Sequence, residues 1–91
     1  MILYKCLVNG AIPESAREQV RQGLARIHGQ MFGLAPDAIA VEFTEVTAGQ
    51  WFTGGKPSQA SMVLGSVPAG TSQQTRVALM AAVCEMFSEA T

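Results

Sequence analysis

Apolar and polar residues follow two different periods along this chain, and their order predicts a β-α-β arrangement. The chain opens with MILYKCLV, an almost continuous apolar run that predicts a strand at about residues 2–8. Between residues 16 and 31, apolar side chains recur every three or four positions, as on the buried face of an α-helix. This stripe consists of Ala16, Val20, Leu24, Ile27 and Met31. Pro13-Glu14 is typical of a helix start, and Gly33 with Pro36 is typical of its end.

The second half of the chain repeats this order of elements. Residues 38–46 alternate between apolar and more polar side chains and predict a second strand. The segment TAGQWFTGG, residues 47–55, predicts a tight loop or short hairpin. A third strand is expected at about residues 59–65, and a second helix from a capping box at 71–74 to about residue 90. The expected apolar stripe of that helix is Val77, Ala81, Cys84 and Phe87, widened by Leu79, Met80, Val83 and Met86.

A shift of 57 residues aligns the two halves of the chain without a gap. It places Leu7 on Leu64, and Val20 on Val77. Such a repeat indicates two β-α-β units, of which the second is truncated before its closing strand. The first two strands should then be parallel and joined by a right-handed crossover. We therefore expect an α+β fold with two helices on one face of a small mixed sheet, in a single domain over residues 1–91.

Composition adds the expectation that the chain associates with copies of itself. Hydrophobic residues make up 48% of the chain and charged residues 14%, against about 25% charged in an average soluble domain. With so little charge, the sheet face opposite the helices is the natural oligomer surface. The net charge of −1 offers no basic patch for nucleic acid. No apolar run has the length of a membrane span and no basic leader precedes the first strand, so a cytoplasmic location is expected.

Metal sites and cofactors are not expected from the spacing of the potential ligands. Cys6 and Cys84 lie in apolar segments without a CxxC or His/Cys pattern, so both are expected to be buried free thiols. His28 is the single histidine. It either stabilises the first helix by its interaction with the negative, C-terminal end of the helix dipole, or serves as a base near neutral pH.

The order of these motifs resembles that of the tautomerase superfamily over nearly the whole chain. A strand at the N-terminus precedes a PE-type helix start, APDAIAVEFTEV resembles the second strand of the family, and AGQWFTGG resembles its glycine-rich aromatic hairpin. RIHGQMFGLAP, at the end of the first helix, is most similar to the branch of cis-3-chloroacrylic acid dehalogenase, within the superfamily of 4-oxalocrotonate tautomerase. The resemblance implies a trimer or hexamer, and a small carboxylate as ligand.

The resemblance also implies chemistry at the N-terminus. In the family, an N-terminal proline exposed by removal of Met moves protons on small 2-oxo or enol acids, or works with water on haloacrylates. Position 2 of this chain is Ile, so Met1 is expected to remain and to offer a primary amine. His28 matches a histidine that helps to activate water. Met1 and His28 are thus the candidate catalytic residues, and the candidate substrate pocket consists of Ile2, Trp51, Phe52 and Lys56.

The arginines that the resemblance implies for binding a carboxylate are missing. Ile12, Ala40 and the segment VPAGT at 67–71 occupy the matching places. Two functions therefore remain open. One is a tautomerase-type isomerase of weak or altered activity, and the other is a non-catalytic oligomeric binding or structural member of the same superfamily. An unrelated ferredoxin-like domain, which shares the β-α-β topology, is a third alternative and predicts a dimer.

Overall fold

The computed structural model describes residues 2–91, so the candidate catalytic residue Met1 lies outside the described residues. Two helices and five strands follow one another, with a short 3₁₀ turn at Pro36–Ala38. The strands are β1 (Ile2–Asn9), β2 (Ile39–Val46), β3 (Phe52–Thr53), β4 (Lys56–Pro57) and β5 (Met62–Leu64), and the helices are α1 (Glu14–Phe32) and α2 (Gln73–Ala90).

β1 is the central strand of a three-stranded mixed sheet with the order β2-β1-β5. It pairs in parallel with β2 along its whole length, from Ile2 opposite Ile39 to Asn9 opposite Val46. On its other side it pairs antiparallel with β5, where Cys6 faces Val63. The expected parallel β-α-β unit and the mixed sheet are both confirmed.

The third strand is shorter than expected, because it covers residues 62–64 rather than 59–65. The Ser58 side chain accepts a hydrogen bond from the backbone N–H of Ala60 at 3.1 Å. Such a local bond offers the backbone an alternative to the sheet ladder, and it delays the start of the strand.

Both helices pack on the same face of the sheet. Tyr4, Cys6 and Val8 of β1 point to this face and are buried. Tyr4 and Cys6 meet residues 20 and 24 of α1 and residues 79, 83 and 86 of α2, whereas Val8 clusters with residue 12 and with residue 16 of α1. The helix cap expected within residues 71–74 lies one residue later than the expected capping box: Ser72 is the N-cap, and its side chain accepts a hydrogen bond from the Thr75 N–H at 3.1 Å. No helix within residues 2–91 has the length and hydropathy needed to cross a membrane.

The apolar stripe expected for α2 is partly wrong. Val77 is 54% exposed and Met80 is 65% exposed, and the thiol-bearing Cys84 is exposed as well. The side chains that reach the core are Leu79, Val83 and Met86. The expectation of two buried thiols therefore holds for Cys6 and fails for Cys84.

The difference between the expected and the observed buried side of α2 follows from the spacing of the repeat. In the strands the shift of 57 residues holds, because Cys6 and Val63 are 57 positions apart and face each other across the sheet. In the helices the shift is 59, because α1 begins at Glu14 and α2 at Gln73. Val20 therefore corresponds to the buried Leu79 rather than to Val77.

The second face of the sheet, which we call the open face, carries the alternate residues of each strand. Within residues 2–91 no helix covers it. Leu3, Met62 and Leu64 are 42%, 46% and 48% exposed there, and Lys5 and Glu42 face solvent beside them. This mixed but largely apolar surface agrees with the expectation that the chain associates through this face.

Replacement of Gly65 by alanine is expected to destabilise the fold by about 1–3 kcal/mol. A Cβ atom at residue 65 would collide with the ring of Tyr4, which is buried and cannot move aside freely. Urea unfolding of Gly65→Ala, compared with Ser66→Ala at the neighbouring exposed position, measures the effect. Equal midpoints for the two variants would contradict this packing.

Candidate functional site

His28 is held in the core by the regular spacing of α1. Ala16, Val20, Leu24 and His28 recur every fourth residue, and all four are buried. Ile27 is partly buried and packs against the same core, whereas Met31 is 36% exposed. The expected stripe is therefore correct in its first four members, and the buried His28 completes it where Met31 was expected.

The imidazole of His28 is bound to Tyr4 on the central strand. Its Nδ1 lies 2.8 Å from the Tyr4 Oη, in a buried hydrogen bond that joins α1 to β1. The ring of Phe32 stacks at a tilt on its other side, with centroids 4.6 Å apart. His28 has no exposed surface, and its Nε2 has no hydrogen-bond partner among the described residues.

Burial sets the protonation of these groups. Loss of hydration lowers the pKa of His28 below its usual value of 6.5, so the ring is neutral at pH 7. The same desolvation, with a smaller contribution from Cys6, raises the pKa of Tyr4. Burial also raises the pKa of the Cys6 thiol to about 11. The core around β1 is therefore uncharged, and a neutral imidazole meets a neutral phenol.

The hydrogen bond between Tyr4 and His28 can be formed with either partner as donor. If the Tyr4 hydroxyl donates to Nδ1, the proton of the neutral imidazole sits on Nε2. If Nδ1–H donates to the hydroxyl, Nε2 carries a lone pair. In both cases one buried polar atom is unpaired, which costs about 1–3 kcal/mol. Burial of the ring against apolar neighbours offsets this cost.

The aromatic hairpin forms at the expected place. β3 and β4 pair antiparallel, with Phe52 opposite Pro57 and Thr53 opposite Lys56. Gly54 and Gly55 join them in the two-residue turn, with φ of 59° and 77° that suit glycine at both positions. Phe52 is 57% exposed, Lys56 is exposed, and Trp51 is half-buried.

The candidate pocket residues are not brought together within one chain. The Asn9 side-chain amide donates to the Ser58 carbonyl at 2.8 Å, which ties the hairpin to the C-terminal end of β1. Ile2 lies at the N-terminal end of the same strand, pairs with Ile39 and packs against the core. Seven residue steps along β1 separate the two ends by about 23 Å. A pocket that combined Ile2 with the hairpin would need a second copy of the chain.

A cavity lies elsewhere, between β5 and α2. This α2–β5 groove has a volume of about 690 Å³ and is lined mainly by apolar side chains, with the Tyr4 ring and Val63 among them. Arg76 and the exposed Cys84 also line it. None of the residues predicted as a substrate pocket from the sequence lies in this groove.

The sequence pattern gave no direct signal for the groove. Arg76 sits in a helix turn without a neighbouring acid or aromatic motif, and no motif distinguishes Tyr4 from the other residues of the first strand. The signal that the sequence does contain is the offset of 59 residues between the helices, which makes Arg76 the equivalent of Arg17 in the first unit. Among residues 2–91, no three side chains of the metal-binding types come together.

Comparison with solved structures shows that the likeness extends over nearly the whole chain. Native Ps01740 matches with a TM-score of 0.90 at 29% sequence identity, covering 98% of this chain and 80% of that chain. The F6 fused 4-OT wild-type asymmetric trimer matches with a TM-score of 0.86 at 16% identity, covering 97% and 73%. N1, a member of the cis-3-chloroacrylic acid dehalogenase (cis-CaaD) family, matches with a TM-score of 0.84 at 17% identity, covering 97% and 64%.

No protein-family model matches the chain, and no curated protein matches its sequence. The structural likeness favours the tautomerase-like interpretation over the ferredoxin-like one, since fused 4-OT and the cis-CaaD family belong to the tautomerase superfamily. Over nearly its whole length the chain therefore has the fold of the tautomerase superfamily, which confirms the resemblance found in its sequence.

Proposed function

We propose that this chain is an oligomeric member of the tautomerase superfamily that serves in binding or assembly rather than in proton-transfer catalysis. The observation that carries the proposal is the burial of His28. Its ring has no exposed surface, and Tyr4 occupies its Nδ1. A general base must come within hydrogen-bond distance of the proton that it removes, directly or through one water molecule. In this chain the imidazole holds a helix to a strand instead.

The charge around the candidate residues supports the same proposal. A small carboxylate ligand needs a cation or a cluster of N–H groups. Lys56 is the candidate cation of the hairpin, and it lies at the end of β1 opposite to Ile2. Arg76 and Arg26 each line a cavity, and neither of these two cavities is lined by Ile2 or His28. The absence of proline at position 2 removes the secondary amine that the resemblance implies.

Assembly is supported by the open face of the sheet. Leu3, Met62 and Leu64 expose apolar side chains on β1 and β5, with Lys5 opposite Leu64. Several of the structural relatives are described as trimers, including the F6, R7 and Q0 forms of fused 4-OT. We infer that this chain forms a trimer, or a hexamer, with the open faces turned towards one another.

A second candidate function is weak tautomerase-type isomerisation of small 2-oxo or enol acids, or chemistry on haloacrylic acids. The position of the hairpin favours it. Phe52 and Lys56 project from the far end of β1, where they are available to a neighbouring copy. In an assembly they could complete a pocket around Met1 and Ile2 of that copy, with the Met1 amine as base.

Charge on the open face is expected to break the assembly. We expect the native chain to have the mass of a trimer or hexamer by size-exclusion chromatography with light scattering. Leu64→Lys replaces an exposed apolar side chain of this face by a charge and should shift the mass towards the 9.6 kDa monomer. Val77→Lys, on an exposed position of α2 away from this face, should leave the mass unchanged. A native monomer or dimer would contradict the proposed assembly.

The two candidate functions separate in an assay of enol–keto conversion of a small 2-oxo acid. A binding or structural member should give the rate of buffer alone, both as the native chain and as His28→Gln. A rate above buffer that falls at least tenfold in Phe52→Ala and in Lys56→Ala would establish the isomerase. Arg26→Gln, an exposed position outside both the hairpin and the groove, serves as the control for non-specific loss.

The stability of the chain should decrease as the pH falls below about 6.5, the usual pKa of histidine in an unfolded chain. Burial holds the pKa of His28 below that value in the folded state, so the unfolded state binds more protons in this range. Stability is therefore fully present above the unfolded pKa and is lost as the pH falls towards the folded pKa. Urea midpoints measured between about pH 5.5 and pH 7.5 test this dependence.

The variant His28→Gln should lose most of this pH dependence, although it is less stable at every pH. Tyr4→Phe keeps the buried imidazole and should keep the dependence, which makes it the matched control. Parallel pH profiles for the native chain and His28→Gln would show that the imidazole is accessible and charged in the folded state, against the basis of the proposed function.

A further inference from the structure

The side-chain amide of Asn9 links the aromatic hairpin to the end of β1. Asn9 is the last residue of β1 and the only asparagine of the chain. Its Nδ2 donates to the Ser58 carbonyl at 2.8 Å, and the Ser58 N–H in turn donates to the Trp51 carbonyl at 3.0 Å. A further contact, from the Asn9 backbone N–H to the Ser61 Oγ, is long at 3.5 Å. The amide donor of Asn9 is therefore the shorter of the two polar links that hold this segment to β1.

The residue that follows makes this amide chemically labile. Gly10 has no Cβ atom to shield its backbone nitrogen from the side chain before it. When a base removes the Gly10 amide proton, the nitrogen can form a bond to the Asn9 Cγ, and the Cγ–Nδ2 bond breaks with release of ammonia. The succinimide ring that results takes up one water molecule, which opens it to aspartate or to isoaspartate. The reaction consumes only water and needs no oxidant or cofactor.

The fold holds both reacting groups apart. The Gly10 N–H donates to the Val46 carbonyl at 2.9 Å, so the attacking nitrogen is engaged at the last step of the β1–β2 ladder. The loop beyond it is fixed as well, because the Ile12 N–H donates to the Glu45 carboxylate at 2.8 Å. Cyclisation of Asn9 therefore requires local opening at the end of β1. Such ends open at a lower free energy than the core of a fold.

We propose that Asn9 is a modification site, at which deamidation detaches the aromatic hairpin from β1. A carboxylate at residue 9 has no N–H to donate, so its oxygens face the Ser58 carbonyl without a hydrogen bond. Isoaspartate in addition lengthens the backbone by one atom, which moves the Gly10 N–H away from the Val46 carbonyl. The hairpin then loses its fixed position on the sheet. Because the ammonia is lost, the change is not reversed by closing of the strand.

The control of this reaction by the fold is tested by its rate. The full chain is incubated in mildly alkaline buffer, and peptide mapping by mass spectrometry measures aspartate and isoaspartate at residue 9. The full chain should react at least about tenfold more slowly than the peptide LVNGAIP of residues 7–13, because β1 must open first. Glu45→Ala frees the loop and should react faster than the native chain, whereas Glu89→Ala, an exposed acid on α2, should react at the native rate. Hydrogen exchange of the Gly10 amide should rank the three chains in the same order.

The release of the hairpin is tested by the fluorescence of Trp51, the only tryptophan of the chain. Trp51 is half-buried and is bonded to Ser58 through its carbonyl, so its emission should move to longer wavelength when the hairpin detaches. The deamidated fraction, separated by ion exchange, and the variant Asn9→Asp should show the same shift and faster hydrogen exchange at residues 52–57. Gln50→Glu makes the same change from amide to carboxylate at an exposed position beside Trp51, and it should keep the native emission and exchange.

Three results would overturn the proposal. The first is the absence of aspartate and isoaspartate at residue 9 of the full chain after incubation over many lifetimes of the peptide. The second is an equal rate in the full chain and in the peptide, since the ladder and the Glu45 contact would then exert no control. The third is native emission and native exchange in Asn9→Asp, which would mean that other contacts hold the hairpin in place.

Discussion

The structure depends on the pairing of one strand on both sides. β1 receives β2 along one edge and β5 along the other, and the two helices bury its alternate residues Tyr4, Cys6 and Val8 on one face of the sheet. Every buried side chain of the two helices packs against this line or against its neighbours. Because this strand is covered by the helices, polar side chains that are buried against it must form their hydrogen bonds within the core. Tyr4 and His28 do so with each other, at the cost of one unpaired imidazole nitrogen.

Much of the fold could be predicted from the sequence because local signals and global arrangement agree. The apolar run of β1, the four-residue spacing of α1 and the cap at Ser72 each point to the element that forms. The stripe of α2 was misassigned because apolar residues occur on nearly all sides of that helix, and periodicity alone cannot choose among them. Its buried side was decided by the length of the loop after β5, which adds two residues to the repeat.

The candidate site was less predictable, for physical reasons that concern single residues. A histidine in a helix has the same spacing whether it faces solvent, a pocket or the core, so the sequence left the role of His28 open. The position of the hairpin along the chain could be predicted. Its distance from Ile2 could not, because it depends on the hydrogen bond from Asn9 that fixes the hairpin at the C-terminal end of β1. The groove has no contiguous motif at all, since its walls come from β5 and from alternate turns of α2.

Ile2 contributes to the packing at the N-terminal end of β1. The side chain at this position is half-buried, pairs beside Ile39 and extends the core to the very start of β1. A residue that would serve as a reagent must keep its amine accessible, whereas an aliphatic residue here adds to the cohesion of the sheet. Because the hairpin is fastened to the opposite end of the same strand, a change at position 2 leaves its geometry untouched. The N-terminal end of β1 can therefore change in sequence while the hairpin at its other end keeps its place on the sheet.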